Sequence, residues 1–336
     1  MAARDSLQHS SHIENPMYLA LRRQLQQRRQ MLSTAAAQAP EMQIMNLLHE
    51  VDDALGRLAS GRYGICDLCH DTVEDDRLLA DPLVRVCLCQ YSDQEKSALE
   101  RDLELASQIQ ARMLPQRDFK CDGWHVGYYY KPLSVVSGDY CDLIVGPDEQ
   151  LYFLLGDVSG KGVAASMLMS NLSAIFRTLI PLGLPLAELM EKANRIFTGS
   201  TLPSQYATLI CGRAMANGIM ELCSAGHVPA IAVCENDVRQ LHSQGLPIGL
   251  FAEQKFTSTA LTLAPGSSLV LFSDGVSEAR LEDEEYGYER IAAAVLKSSG
   301  LKPAEAVDNC VKHLNSFLGA APVFDDQTLM IVQKSI

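Results

Sequence analysis

Residues 151–169 read LYFLLGDVSGKGVAASMLM, and the order of residue types in this stretch decides the fold. The apolar run Leu151–Leu155 has the length and composition of a buried strand. Gly156, Asp157 and the small residues after them end that strand. From Gly162 the apolar positions recur at helical spacing, which predicts a helix over Gly162–Leu179. An aspartate, Asp157, is thereby placed where a strand opens into a loop. The SGKG within this loop is not a phosphate-binding P-loop, because Gly162 stands where that motif needs Ser or Thr after its lysine.

Working outward, the arrangement recurs. LVLFSDG places Asp274 directly after an apolar run, DDQTLMIV places Asp325 directly before one, and SGDY holds Asp139. Further short apolar runs at Val126–Tyr130, Ala207–Cys211, Ile219–Cys223 and Ala230–Cys234 read as strands, as do Leu269–Phe272 and Thr328–Val332. Pro185–Phe197, Tyr288–Leu296 and Pro303–Leu318 read as helices. Strands come in neighbouring pairs and helices in separate pairs. That grouping predicts an α+β fold of antiparallel sheets covered by helices.

Four carboxylates gathered at strand ends would repel one another strongly. A hard divalent cation relieves such repulsion, and an all-oxygen ligand set selects Mg²⁺ or Mn²⁺. The glycines beside Asp139, Asp157 and Asp274 permit close backbone approach. Asp142 and Asp326 are candidate supporting carboxylates, and Lys161 is a candidate phosphate contact. His227, in SAGHVPA, reads as a turn histidine between two strands.

The N-terminal part has a different texture. Met17–Leu32 reads as one helix. Ile44, Leu48, Val51, Leu55 and Leu58, spaced 4, 3, 4 and 3, predict a second with one apolar face. A helical hairpin with its tip at Ser33–Pro40 follows. Residues 95–116 predict a connector helix that Pro115 stops, with Leu99, Leu103, Ala106, Ile109 or Gln110, and Met113 on one stripe. The next domain or a second copy of the chain must cover that stripe. The expected organisation is a regulatory module over 1–94, the connector over 95–117 and the main domain over 118–336.

Between hairpin and connector, Cys66, Cys69, Cys87 and Cys89 form C-x2-C followed by C-x-C. Two thiolate pairs from two tight turns provide the tetrahedral set that structural Zn²⁺ takes. His70 is an alternative fourth ligand. The other six cysteines of the ten are scattered and read as core residues.

Composition excludes several classes. Lys+Arg 28 against Asp+Glu 41 leaves a net charge of −13, which argues against a broad nucleic-acid or anionic-membrane surface. No stretch approaches the roughly 18–20 uninterrupted apolar residues of a spanning helix; Leu172–Met190 comes nearest but is broken by Arg177 and Glu188. No apolar signal-peptide core follows Met1, so a cytoplasmic protein is expected.

Two resemblances add to this reading. GRYGICDLC at 61–69, the spacing to Cys87 and RLLADP at 77–82 resemble the zinc finger of the DksA/TraR family. That family's fourth cysteine would fall on Gln90, so Cys89 is expected to take its place. Family members that act on RNA polymerase carry acidic residues at a long hairpin tip. Ser33–Pro40 has none, so polymerase regulation is not carried over.

The region from about Leu99 onward resembles the SpoIIE/RsbU branch of the PPM metal-dependent Ser/Thr protein phosphatases. ASQIQARMLPQ, VVSGDYCD, the opening stretch above, YATLICG, SAGHVPA, GLPIGL, LVLFSDGVSEA and DDQTLMIV carry the likeness. It implies an α/β/β/α sandwich with a two-metal site at one edge. Asp157 would bridge both ions, the Val158 carbonyl would bind one, and Asp139, Asp274 and Asp325 would complete the set. A metal-activated water would then attack a phosphoserine or phosphothreonine on a protein. In this branch that protein is usually a STAS-type anti-sigma-factor antagonist. The histidine that many PPM members carry two residues after the bridging Asp is here Ser159. A homodimer through the connector helix is expected. The competing readings are a catalytically silent interaction module on the same fold and a transcription-associated zinc protein.

Overall fold

The computed structural model describes residues 16–38, 42–202, 205–234, 237–242 and 245–335. It divides into two compact units, one of the residues up to Glu104 together with Gly160–Gly162, the other of Leu105–Ser159 and the residues from Val163 onward.

The N-terminal unit begins with helices α1 (Pro16–Gln38) and α2 (Met42–Ala59). Arg29 of α1 pairs with Asp52 of α2, at similar distances from the helix ends Gln38 and Met42, as an antiparallel hairpin requires. Its seam is Leu21, Leu25 and Leu32 against Ile44, Leu47, Val51 and Ala54, all buried. The first helix outruns the expected end at Leu32. Ser33–Gln38 are helical because half of this stretch is alanine, the best helix former, and no Gly or Pro interrupts it. Residues 39–41, which include the end of the expected tip, lie outside the described residues. Tyr63, edge-on to Tyr18 at 5.7 Å, fastens the hairpin to the cysteine segment. A short helix α3 (Asp75–Ala80) completes the finger. Helix α4 (Asp93–Met113) crosses into the second unit and ends before Pro115, which disfavours helical backbone at the residue ahead of it.

The C-terminal unit is a sandwich. Its first sheet, in spatial order, is β1 (Asp118–Cys121), β2 (Trp124–Lys131), β13 (Gln327–Lys334), β10 (Ser268–Phe272), β7 (Ala230–Cys234) and β8 (Asp237–Leu241). Its second is β3 (Asp139–Val145), β4 (Leu151–Val158), β5 (Ala207–Ala214), β6 (Ile219–Ala225) and β9 (Thr259–Thr262). A two-residue ribbon, β11 (Arg280–Leu281) with β12 (Glu284–Glu285), stands apart. Every pairing between these strands is antiparallel.

Alternation along each strand makes three cores. Leu151, Phe153 and Leu155 of β4 meet Leu269, Leu271, Met330 and Val332 between the sheets. On the other face of β4, Tyr152, Leu154 and Val158 pack against helices α5 (Gly162–Leu179) and α6 (Leu186–Ser200). Val270, Phe272, Leu329 and Ile331 pack outward against α8 (Gly287–Lys297) and α9 (Pro303–Leu318). Between β10 and α8 lies the single turn α7 (Asp274–Ser277). The four layers are the predicted α/β/β/α order. The segment Gly162–Leu182, rather than Leu172–Met190, is the most apolar long helix (mean hydropathy 1.4). It is a core helix: Leu168, Met169, Leu172, Ile175 and Phe176 are buried beneath the second sheet.

Candidate metal centres

Asp139 opens β3 and Asp157 nearly closes β4, and the two are direct cross-strand partners. They share parity with Cys141 and Leu155, so both carboxylates lie on the inter-sheet face. Asp274 begins α7 where β10 ends, and Asp325 sits just ahead of β13. β10 and β13 are hydrogen-bonded neighbours in the opposite sheet. The sandwich therefore brings all four acids to one end of the inter-sheet core.

Close backbone approach makes this possible. A Cβ on Gly275 would lie 2.0 Å from the Asp326 carbonyl oxygen, so only glycine lets the Asp274 turn sit against the Asp325–Asp326 segment. Ser273 knots the same point: its N–H donates to the Thr328 carbonyl at 2.9 Å, and its hydroxyl accepts the Thr328 N–H at 3.0 Å. Across the sheets, the Thr328 hydroxyl donates to the Asp139 carboxylate.

The electrostatics follow. Burial pushes the Asp139 carboxyl well above the usual carboxylate range, and the charges of Asp326, Asp274 and Asp325 push it further. Asp157 is raised likewise, by burial first and then by Asp274, Asp139 and Asp325. Such a set is costly as bare carboxylates and is neutralised by hard divalent cations, so the residues present fit Mn²⁺ or Mg²⁺.

Several expected residues prove to serve neighbouring structure. Asp326 accepts the backbone N–H groups of Leu133 at 2.7 Å and Gly138 at 2.9 Å, and so holds the loop that delivers Asp139. Asp142 points to the other face of β3. Its carboxylate takes Arg177 of α5 in a two-pronged bond (2.8 and 3.0 Å), and Arg177 also reaches the Met113 carbonyl. Lys161 lies in the loop that leads into α5. The Ser159 hydroxyl accepts the Tyr206 N–H at 3.0 Å. His227 is buried between strands, as the turn reading expects.

One residue was missed as a functional candidate. Gln110 of α4 is buried, and its amide grips both backbone groups of Ser137: Nε2 donates to the carbonyl at 2.8 Å and Oε1 accepts the N–H at 3.0 Å. Ser137 in turn accepts the Asp139 N–H through its hydroxyl. The sequence signal was a glutamine on an otherwise apolar helical stripe. Along the rest of that stripe Leu99 and Ile109 are exposed, Leu103, Ala106 and Met113 are half-buried, and Gln110 faces inward.

In the N-terminal unit the sulfurs of Cys66, Cys69, Cys87 and Cys89 lie within 4.8 Å of one another. Zn–S bonds of about 2.3 Å need sulfurs about 3.8 Å apart, so the set fits tetrahedral zinc. Cys66 Sγ accepts backbone N–H groups from Leu68 at 3.4 Å and Cys87 at 3.3 Å. Backbone hydrogen bonds pull its thiol down to about 6, whereas the neighbouring Cys87 and Cys69 sulfurs push Cys89 up to about 12. His70 is exposed, in left-handed backbone (φ 62°), and is no member of this group.

With this geometry in place, residues 147–335 match the family described as Stage II sporulation protein E (SpoIIE). The chain belongs to the SpoIIE family. Residues 61–94 match the prokaryotic dksA/traR C4-type zinc finger. Protein IcfG of Synechocystis sp. is 25% identical over 282 residues, covering 70% of this chain and 42% of IcfG. Phosphoserine phosphatase RsbU of Bacillus subtilis is 24% identical over 244 residues, 71% of each chain. The chain thus spans about two-fifths of IcfG and most of RsbU. The SiaA-PP2C domain of Pseudomonas aeruginosa superposes with a TM-score of 0.62 at 18% identity, over 71% of this chain and 98% of that domain, which shows the shared fold.

Proposed function

We propose that this SpoIIE-family chain is a regulated, metal-dependent protein serine/threonine phosphatase. The observation that carries the reading is the meeting of Asp139 and Asp157, cross-strand partners in one sheet, with Asp274 and Asp325 at the strand ends of the other. Asp157, whose carboxyl is pushed up by the charges of the other acids, would hold the ions together with the Val158 carbonyl, Asp139, Asp274 and Asp325. Mn²⁺ or Mg²⁺ bound there would supply an activated water and stabilise charge on the phosphoryl group. The chain's own part is to hold carboxylates on two rigid sheets and to fix their loops through Asp326, Ser273 and Thr328. Ser159 does not act as a proton donor in this reading.

The relative named a phosphoserine phosphatase supports a phosphoserine or phosphothreonine on a signalling protein as the substrate class; the resemblance to the SpoIIE/RsbU branch makes a STAS-type anti-sigma-factor antagonist the proposed carrier. The N-terminal hairpin and zinc finger are the regulatory module, acting in the cytoplasm, where thiols stay reduced. The exposed Leu99, Leu105 and Ile109 on α4 support a homodimer through the connector helix.

The test is hydrolysis of an aryl phosphate and a phosphoserine peptide by the full-length chain, with Mn²⁺, Mg²⁺ or chelator. Metal-dependent turnover that Asp274→Asn abolishes is expected. Absence of turnover under every metal condition would sink the reading.

A further inference from the structure

His227 stands between the two sheets at the metal end. It is 3% exposed, and its ring touches one residue from each sheet. Nδ1 lies 2.9 Å from the Thr208 hydroxyl, and Nε2 lies 3.1 Å from the Phe272 carbonyl oxygen. Both partners have a defined relation to the acids. Thr208 is the direct cross-strand neighbour of Asp157, on the side opposite Asp139. Phe272 is the last residue of β10, two before Asp274.

The ring fills a gap in the ladder. β7 begins at Ala230, and its register with β10 ends at the Ile231–Val270 pair, short of Phe272. His227, just ahead of β7, supplies the donor that the strand does not. A carbonyl only accepts, so Nε2 carries the proton and Nδ1 accepts the Thr208 hydroxyl. Burial, which pulls the imidazole down to about 4, keeps this neutral form in place near neutrality. A rigid ring with one donor and one acceptor thus spans from the strand of Asp157 to the turn of Asp274.

We propose that His227, with Thr208, is a positioning residue that sets the spacing between Asp157 and Asp274 and thereby the affinity of the site for its divalent ions. This rests on the metal-site reading above. Neither side chain is a metal ligand or contacts substrate in this account.

The test uses the full-length chain and its Thr208→Val, His227→Gln and His227→Ala variants. Mn²⁺ binding is followed by titration calorimetry, and Mn²⁺ activation by the phosphopeptide assay. Thr208→Val keeps the volume and removes only the hydroxyl, so it carries the test if His227→Ala fails to fold. Partners that orient metal ligands typically govern affinity by about 10–100-fold, and a weakening of that order is expected in both Thr208→Val and His227→Ala. Turnover at saturating Mn²⁺ should stay near wild type. The double variant should lose no more than His227→Ala alone, because the two groups act as one unit. Melting temperatures that fall while Mn²⁺ affinity stays within about 2-fold of wild type, well under that range, would overturn the proposal and leave His227 a packing residue. Lost turnover with unchanged affinity would also overturn it. A wild type that binds Mn²⁺ but hydrolyses no phosphopeptide would refute the phosphatase reading alone, since calorimetry still decides the role of His227. No Mn²⁺ binding by wild type would overturn both.

Discussion

Replacing Gln110 by leucine probes how the connector helix holds the Asp139 loop. Leucine is close in size, so the cavity is small and the change is chiefly one of hydrogen bonding. Two bonds are lost, at 2.8 and 3.0 Å. Ser137 is fully buried, so its N–H and carbonyl would both be left without partners. Each such orphan costs about 1–3 kcal/mol, which puts the change at about 2–6 kcal/mol if the loop stays in place. The molecule has two ways to respond. Loss carried by the whole unit lowers its Tm by about 2–4 °C per kcal/mol for a unit of this size. Alternatively the Ser137–Asp139 loop opens locally and the ligand set is disordered, so Mn²⁺ affinity falls by about tenfold per 1.4 kcal/mol. Thermal melts in chelator read the first response and calorimetric Mn²⁺ titration the second. Together they should account for at least about 2 kcal/mol. If Gln110→Leu changes neither by more than about 0.5 kcal/mol, the typical scatter of a surface substitution, the amide clamp does not hold the loop and the reasoning fails.

Asp139→Asn should raise the Tm of the metal-free protein at pH 8, by about 1–2 kcal/mol of relieved repulsion, while Mn²⁺ binding and turnover are lost; a lower Tm in chelator would contradict the like-charge account. Cys89→Ser should lower the zinc content of purified protein, measured by metal analysis, whereas His70→Ala should leave it unchanged. The reverse pattern would make His70 the fourth ligand. His227 gives a pH signature. Its folded value, about 4, lies below the ordinary 6.5, so the folded state binds fewer protons than the unfolded chain in that window. Its stability contribution is fully present above 6.5 and is lost as pH falls towards 4, by about 3 kcal/mol for the whole interval. Denaturant titrations of wild type and His227→Gln should therefore converge as pH drops from 7 to 4. Parallel curves would mean the histidine is protonated at no cost.

Much of this architecture is legible along the chain. Gly162–Leu179, Pro303–Leu318 and Ala230–Cys234 have the ends that their patterns predict, because apolar runs bounded by Gly or Pro are local signals. Asp139, Asp157, Asp274 and Asp325 were recognisable at strand ends for the same reason. The four cysteines declared themselves by spacing, since a metal set built from two tight turns is nearly a local structure. Strands β1, β8 and β9 were not legible. DFKC, DVRQL and TALT lack a clear apolar period, and each lies at the edge of its sheet, where it is a strand through its one neighbour.

What tertiary structure alone decided is the division of labour among similar side chains. Asp325 and Asp326 are adjacent in sequence, yet Asp326 spends its carboxylate on the backbone of Leu133 and Gly138. Asp139 and Asp142 share a strand, yet three residues' difference in parity sends Asp142 to Arg177 on the helical face. Gln110, Thr208 and His227 lie in stretches that carry the family likeness, but residue type and spacing there do not signal what they hold. Their roles arise from partners brought close by sheet pairing and layer packing across long stretches of chain. Residue types, spacing and periodicity are written in the sequence; which polar group ends up facing which is settled when two sheets close on a common core.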